Sequence, residues 1–118
     1  MTMARGSLVL VDLEPTRGHE QRGTRPCLVV SDPAVNASQR FPLIAVVPIT
    51  GTPAPGALYP PLAPGPNGLT KPSYALVDQL RSIDKQCIRR GYGQVSEAEL
   101  AAVDAGLRLY LGLEPDPG

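Results

Sequence analysis

The sequence predicts a mainly β fold: a small, strongly curved antiparallel sheet with one helix packed on it at the C-terminal end. Three observations lead there. Short runs rich in Val, Ile and Leu recur along the chain, each closed by Pro, Gly or Asp. The stretch from Gly51 to Pro72 is so dense in Pro and Gly that helix is excluded from it. Only the region after Ser96 repeats its apolar residues at helical spacing. The pattern alone fits many folds, and no internal repeat narrows it.

The elements follow in order. Ser7 to Leu13 reads as a buried strand, ended at Glu14-Pro15 because proline cannot donate to a ladder. A loop from Thr16 to Thr24 comes next. Arg25 to Ser31 is a second strand, with Pro26 at its tolerant start and Asp32-Pro33 at its close. Phe41 to Thr50 is a third and carries the longest apolar run; Pro48 lacks an N–H and demands an edge, a bulge or a strand end. Gly51 to Pro72 is expected to be largely a mobile flap, with Ala57-Leu58-Tyr59 as a brief edge strand. Ser73 to Val77 and Gln79 to Ile83 are further strands, and alternation in the latter puts Gln79, Arg81 and Ile83 on one face. A helical turn at Asp84-Lys85-Gln86 and a last strand at Gly91 to Val95 complete the β part.

The terminal helix carries the clearest local signal. Ser96-Glu97-Ala98-Glu99 spells a capping box, in which the Ser96 hydroxyl serves the N3 amide and Glu99 reaches back. Leu100, Val103, Leu107 and Leu111 form one apolar stripe, Val95 can staple onto Leu100, and Pro115 and Pro117 stop the chain. A chain of 118 residues is one domain, expected over residues 1–113 with a short tail at 114–118.

Composition bounds the partners. Net charge is +0, so the molecule as a whole does not attract nucleic acid. Four Tyr, one Phe and no Trp argue against an aromatic platform for stacked bases. Of the eleven basic residues all but Lys71 and Lys85 are Arg. A guanidinium fork matches phosphate oxygens with two parallel hydrogen bonds. A GC-rich genome explains the bias as a whole equally well, but not why Arg17, Arg22 and Arg25 share one loop. Cys27 and Cys87 lie far apart and read as reduced thiols rather than a bridge. No apolar stretch is long enough to span a bilayer, and no signal-peptide pattern opens the chain, so a cytoplasmic protein without a membrane partner is expected.

The chemistry concentrates in Arg17-Gly18-His19-Glu20-Gln21-Arg22-Gly23-Thr24-Arg25-Pro26, which runs into the apolar Cys27-Leu28-Val29-Val30. Such a loop at a strand mouth presents acid–base groups and cations at one exposed spot, an arrangement suited to a phosphodiester. RNA breaks when its own 2′-hydroxyl attacks the neighbouring phosphorus. A catalyst takes the 2′ proton, neutralises the phosphoryl oxygens and protonates the 5′-oxygen. With one His and no carboxylates at ligand spacing, the sequence offers no metal cluster and implies no cofactor.

Arg25 sits where loop becomes strand and suits charge stabilisation; a guanidinium is a poor proton donor. The plain alternative is a surface Arg paired with Glu20. Thr50 ends an apolar strand, so its hydroxyl can emerge beside a neighbouring strand's end and bond a phosphoryl oxygen. A Thr satisfying its own turn before Gly51 is the simpler reading of that position. Glu20 and His19 are the candidate proton acceptors, although a lone loop His is more often incidental and Glu20 is better suited to orienting Arg25. Ser73, Gln79 and Arg81 form a second set, fit either for base edges and phosphates or for a plain solvated sheet face.

Several ordered motifs resemble the MazF/PemK toxins. Arg5-Gly6-Ser7 with the strand after it and Asp12-Leu13-Glu14-Pro15 is similar to that family's opening. Gly18-His19-Glu20-Gln21 and Gly23-Thr24-Arg25-Pro26 resemble its signature loop, and Pro48-Ile49-Thr50 the segment bearing its catalytic threonine. Ser73 to Lys85 resembles its second block. The resemblance implies an SH3-like barrel of the MazF/PemK/CcdB type and a homodimer. It implies metal-independent, sequence-specific cleavage of single-stranded RNA, chiefly messenger RNA, with 2′,3′-cyclic phosphate and 5′-hydroxyl products. Carried over, Arg25 and Thr50 would be the catalytic pair. Glu20, Ser73, Gln79 and Arg81 would support it or bind substrate, and Arg17 and Arg22 of the same loop are expected to bind RNA. The implied partner is a small antitoxin with an acidic, flexible tail that fills the RNA groove. His19 and Cys87 depart from the family pattern, and the proline-rich segment 51–72 leaves the target sequence open.

Three other readings compete. A CcdB-like, non-enzymatic gyrase poison shares the fold, but that binding resembles a Trp-Gly-Ile ending, whereas this chain ends Glu114-Pro115-Asp116-Pro117-Gly118 and has no Trp. An SH3-like reader of proline-rich ligands needs clustered aromatics that are missing. A catalytically dead RNA binder is the third.

Overall fold

The computed structural model describes residues 3–13 and 23–113. Within them the chain runs β1 (Ser7–Asp12), β2 (Thr24–Val29), α1 (Pro33–Ala37), β3 (Leu43–Thr50), β4 (Pro61–Leu62), β5 (Ser73–Ala75), β6 (Arg81–Asp84), β7 (Ile88–Gln94) and α2 (Glu97–Leu111). The strands form one antiparallel sheet in the order β4-β5-β3-β2-β1-β7, with β6 also on β3. The architecture is therefore the expected curved, mainly β sheet with a C-terminal helix.

The apolar runs of β1, β2 and β3 do not alternate with polar residues because both faces of these strands are buried. Leu8, Leu28, Val47 and Ile49 lie in one cluster with Val103 of α2. Val9, Val11, Cys27, Val29, Ile44 and Val46 lie in the other, with Ile83 of β6. Val103 has no exposed surface, and burying such a side chain contributes about 1.5–3 kcal/mol.

Pro48 sits inside β3, paired with Cys27 of β2. The strand's other edge is divided: Leu43 to Val46 pair with β6, while Ile49 and Thr50 pair with β5. The Pro48 carbonyl faces that divided edge and accepts the Leu76 N–H at 2.8 Å. A residue's N–H and C=O share one side of a strand. The donor that Pro48 lacks would therefore point to the place where β3 changes partners.

Several expectations are corrected. The third strand begins at Leu43, not Phe41, and the fourth ends at Ala75. Val77–Gln79 is a 3₁₀ turn, so alternation does not extend back to Gln79 and the fifth strand starts at Arg81. The second helical turn spans Lys85–Cys87, and β7 begins earlier than expected, at Ile88. Asp32-Pro33 does more than end β2. Asp32 caps the N-terminus of α1 by accepting the Ala34 N–H at 2.8 Å, and Pro33 opens the helix, where its missing donor costs nothing.

The segment 51–72 is pinned rather than a free flap, and its strand is Pro61–Leu62, not Ala57 to Tyr59. Leu58, Leu62 and Leu69 pack into the α2-side cluster. The Tyr59 hydroxyl donates to Asp78 at 2.6 Å, which raises the phenol's pKa. Buried Asn67 donates to the Ala63 carbonyl and accepts the Leu69 N–H. Apolar anchors and an internal amide thus hold a segment that cannot make a ladder of its own.

In α2 the capping box is complete: Ser96 Oγ accepts the Glu99 N–H at 3.1 Å, and Glu99 Oε1 accepts the Ser96 N–H at 2.9 Å. The other carboxylate oxygen takes the Ala63 N–H at 2.7 Å and ties the pinned segment to the helix start. The stripe is shorter than expected, since Leu111 is 50% exposed. What stops the helix is Gly112, at φ 70°, not the prolines beyond it. Leu113 N–H donates to Arg108 O and Gly112 N–H to Leu109 O, the two bonds of a Schellman ending that favours glycine at this left-handed position.

Candidate active site

The ladder between β2 and β3 pairs Cys27 with Pro48, Leu28 with Val47 and Val29 with Val46. That ladder ends two residues short of Arg25 on β2 and of Thr50 on β3, so both side chains leave from the same end of the paired strands. The base of the preceding loop is fixed by the Leu13 N–H, which donates to the Gly23 carbonyl at 2.9 Å. Arg25 thus leaves a clamped loop base and enters a central strand.

Both residues line one groove of about 560 Å³. Its walls come from the ends of β2 and β3, the turn at Gly51-Thr52, the segment Gly68 to Lys71, and Arg90 and Tyr92 of β7. Arg25, Lys71 and Arg90 are its cations, and no carboxylate lines it among the described residues. A protein of zero net charge thus concentrates positive charge at one concave spot. Low-dielectric walls focus such a field on an anionic ligand.

Thr50 Oγ1 accepts the Thr52 N–H at 3.1 Å. The simple turn-satisfying role is therefore real, and it does not exclude the chemical one. The bond uses a lone pair, so the hydroxyl proton remains available to donate. The turn fixes the oxygen, and the proton is aimed by whatever acceptor enters the groove.

Lys71 is a groove cation that sequence reasoning passed over. A Cβ placed on Gly51 would fall 2.6 Å from the Lys71 Nζ and closer still to its Cε. The ammonium therefore lies directly over the residue after Thr50, in space that only glycine leaves open. Ser73, 4% exposed, donates its hydroxyl to the Lys71 carbonyl at 3.0 Å. Ser73 thus lines the groove while holding the lysine's backbone in place. The missed signal was the spacing Lys71-Pro72-Ser73, a cation one proline away from a strand start.

The second expected set does not assemble as foreseen. Gln79 lies in the 3₁₀ turn, and neither it nor Arg81 lines this groove. On β6, Arg81 pairs with Val46 of β3 and acts electrostatically on Cys27. Burial pushes the Cys27 thiol up to about 12, with Arg81 pulling the other way. Arg17, His19, Glu20 and Arg22 lie outside the described residues. Among the described residues no group of three His, Cys, Asp or Glu side chains converges as a metal site would, and no helix is long and apolar enough to cross a membrane.

Residues 4–111 match the family described as PemK-like, MazF-like toxin of type II toxin–antitoxin system. The chain is 39% identical over 117 residues to endoribonuclease MazF9 of Mycobacterium tuberculosis, covering 94% of this chain and 98% of that protein. The fold superposes on the crystal structure of MazF from Deinococcus radiodurans with a TM-score of 0.80 at 30% identity, covering 95% and 98% of the two chains. A MazE–MazF structure from the same organism gives 0.76 at 30% identity over 97% and 99%. The chain belongs to the PemK-like, MazF-like toxins of type II toxin–antitoxin systems, the family of the endoribonuclease MazF9.

Proposed function

We propose that this chain is an endoribonuclease toxin that cuts single-stranded RNA, chiefly messenger RNA, at specific sequences and without a metal. One observation carries the reading: Arg25, Lys71 and the Thr50 hydroxyl share a groove that no carboxylate lines among the described residues. In the step assigned to it, the 2′-oxygen forms a bond to phosphorus while the bond from phosphorus to the 5′-oxygen breaks. The 2′ proton leaves to a base and another proton reaches the 5′-oxygen, giving a 2′,3′-cyclic phosphate and a 5′-hydroxyl. Arg25 neutralises the phosphoryl oxygens as charge grows on them, and Thr50 donates a hydrogen bond to one of them. Glu20 and His19 are the candidates for moving the protons.

The partner we assign is a small antitoxin with an acidic, flexible tail, since carboxylates mimic phosphates at arginine forks. A homodimer fits the exposed apolar residues Leu109, Tyr110, Leu111 and Leu113 at the end of α2, which need cover.

The test is incubation of purified protein with single-stranded RNA in EDTA, followed by mapping of fragment ends. Cyclic phosphate and 5′-hydroxyl ends at one recurring sequence are expected. Arg25→Ala loses at least about tenfold in rate, because a transition-state donor is worth roughly 2.7–4 kcal/mol. Full activity in that variant, or activity only when a divalent ion is supplied, rejects the assignment.

A further inference from the structure

Arg90 and Tyr92 stand two residues apart on β7 and so share a face. The Arg90 guanidinium lies over the Tyr92 ring, 4.8 Å from its centroid. The ring is also held by the pinned segment. A Cβ on Gly68 would come 2.9 Å from the Tyr92 Cβ and 3.3 Å from the ring atoms Cγ and Cδ1. A Cβ on Gly93 would strike the Pro66 carbonyl oxygen at 2.5 Å, and the Gly93 N–H donates to the Asn67 carbonyl at 3.0 Å. Two glycines thus let the loop backbone press against the strand beside the ring. The ring is fixed from the loop side, and the guanidinium carbon lies over it.

Arg90 is exposed, and both residues line the groove that holds Arg25 and Thr50. In the ladders Arg90 is opposite Leu10, which is opposite Pro26, the neighbour of Arg25. Two strand spacings, about 10 Å, therefore separate Arg90 from that part of β2. A guanidinium plane stacks on unpaired bases as an aromatic ring does.

We propose that Arg90, seated over Tyr92, is a stacking platform for one nucleobase of the RNA beside the scissile phosphate. The proposal rests on the reading of this groove as an RNA site and adds a second recognition element to it. The Tyr92 ring backs the guanidinium and limits its swing, so a base can meet its face. Every base has a π-face, so the platform sets how tightly that nucleotide is held more than which base it is. One tyrosine-backed arginine supplies what the scarcity of aromatics had seemed to rule out.

The experiment walks a single abasic nucleotide through a short RNA on either side of the mapped cut. Binding and cleavage are measured for the unmodified protein, Arg90→Ala and Arg90→Lys. At one position the abasic RNA loses between about fivefold and a hundredfold in affinity or cleavage with the unmodified protein. Arg90→Ala loses a like factor on intact RNA and nothing further at that position. Arg90→Lys, which keeps the charge but not the plane, behaves as Arg90→Ala does. If Arg90→Ala weakens intact and abasic RNAs by the same factor, or Arg90→Lys restores full strength, the arginine grips phosphate and the platform is wrong. Position-dependent binding without any cleavage keeps the platform and rejects the nuclease. Neither binding nor cleavage rejects both.

Discussion

Replacing Gly51 with alanine should disable the groove without unfolding the protein. The new Cβ falls 2.6 Å from the Lys71 Nζ, where ordinary contact begins at 3.4 Å, and the clash with Cε is tighter. The ammonium must therefore retreat by about 1 Å. For a charge pair near the surface, widening a 4 Å separation to 5 Å costs about 0.8 kcal/mol, a factor of about four. Loss of the aligned geometry raises the ceiling to about a hundredfold. Stability should change by less than about 1 kcal/mol, because a lysine tip moves cheaply and the glycine gives up unfolded-state freedom. The assay is cleavage of a fluorogenic RNA by Gly51→Ala, Lys71→Ala and the double variant, with melting followed in parallel. Lys71→Ala should lose more than Gly51→Ala, and the double variant should match Lys71→Ala. If the two losses multiply, or Gly51→Ala is fully active, the lysine does not act from the position described here.

Other outcomes follow from the packing. Glu99 holds three groups: burial pushes its carboxyl up, but the Ser96 and Ala63 N–H donors and the Ser96 hydroxyl outweigh that and hold it below the ordinary glutamate value. A carboxyl depressed on folding stabilises above its unfolded pKa and loses that contribution as pH falls through the folded one. Glu99→Ala should thus cost about 1 kcal/mol at neutral pH in denaturant titration, after allowance for solvent screening, and the gap should close in acid. Of the two cysteines, buried Cys27 should resist a thiol reagent at pH 8 while half-buried Cys87 reacts, giving one equivalent native and two unfolded; two fast equivalents in the native protein would contradict the burial.

What the sequence made legible was local. The capping box needs only Ser96 and Glu99, three residues apart in one segment, and it stands as read. The β1 and β2 runs were plain because both faces are apolar. The positions that misled depend on partners elsewhere in the chain. Gln79 continues an alternating pattern, yet Leu76 and Val77 carbonyls close a turn there instead. Segment 51–72 reads as loose because its anchors Leu58, Leu62 and Tyr59 find their partners only after folding. Arg25 and Thr50 were named as a pair only through the resemblance; that the ends of β2 and β3 bring both to one groove depends on a register that no local spacing encodes. Lys71 escaped notice because its importance comes from an atom that Gly51 does not have.

The interruption at Pro48 also bears on how this chain can change over time. Since β3 shares its outer flank between two short neighbours, the stretch joining them crosses at one fixed point: the Leu76 N–H is tied to the Pro48 carbonyl, and Val77 is buried with Val103 of α2. The opposite flank is locked residue for residue to β2 from Cys27–Pro48 to Val29–Val46. A change of length at that crossing would therefore disturb the core as well as the sheet edge.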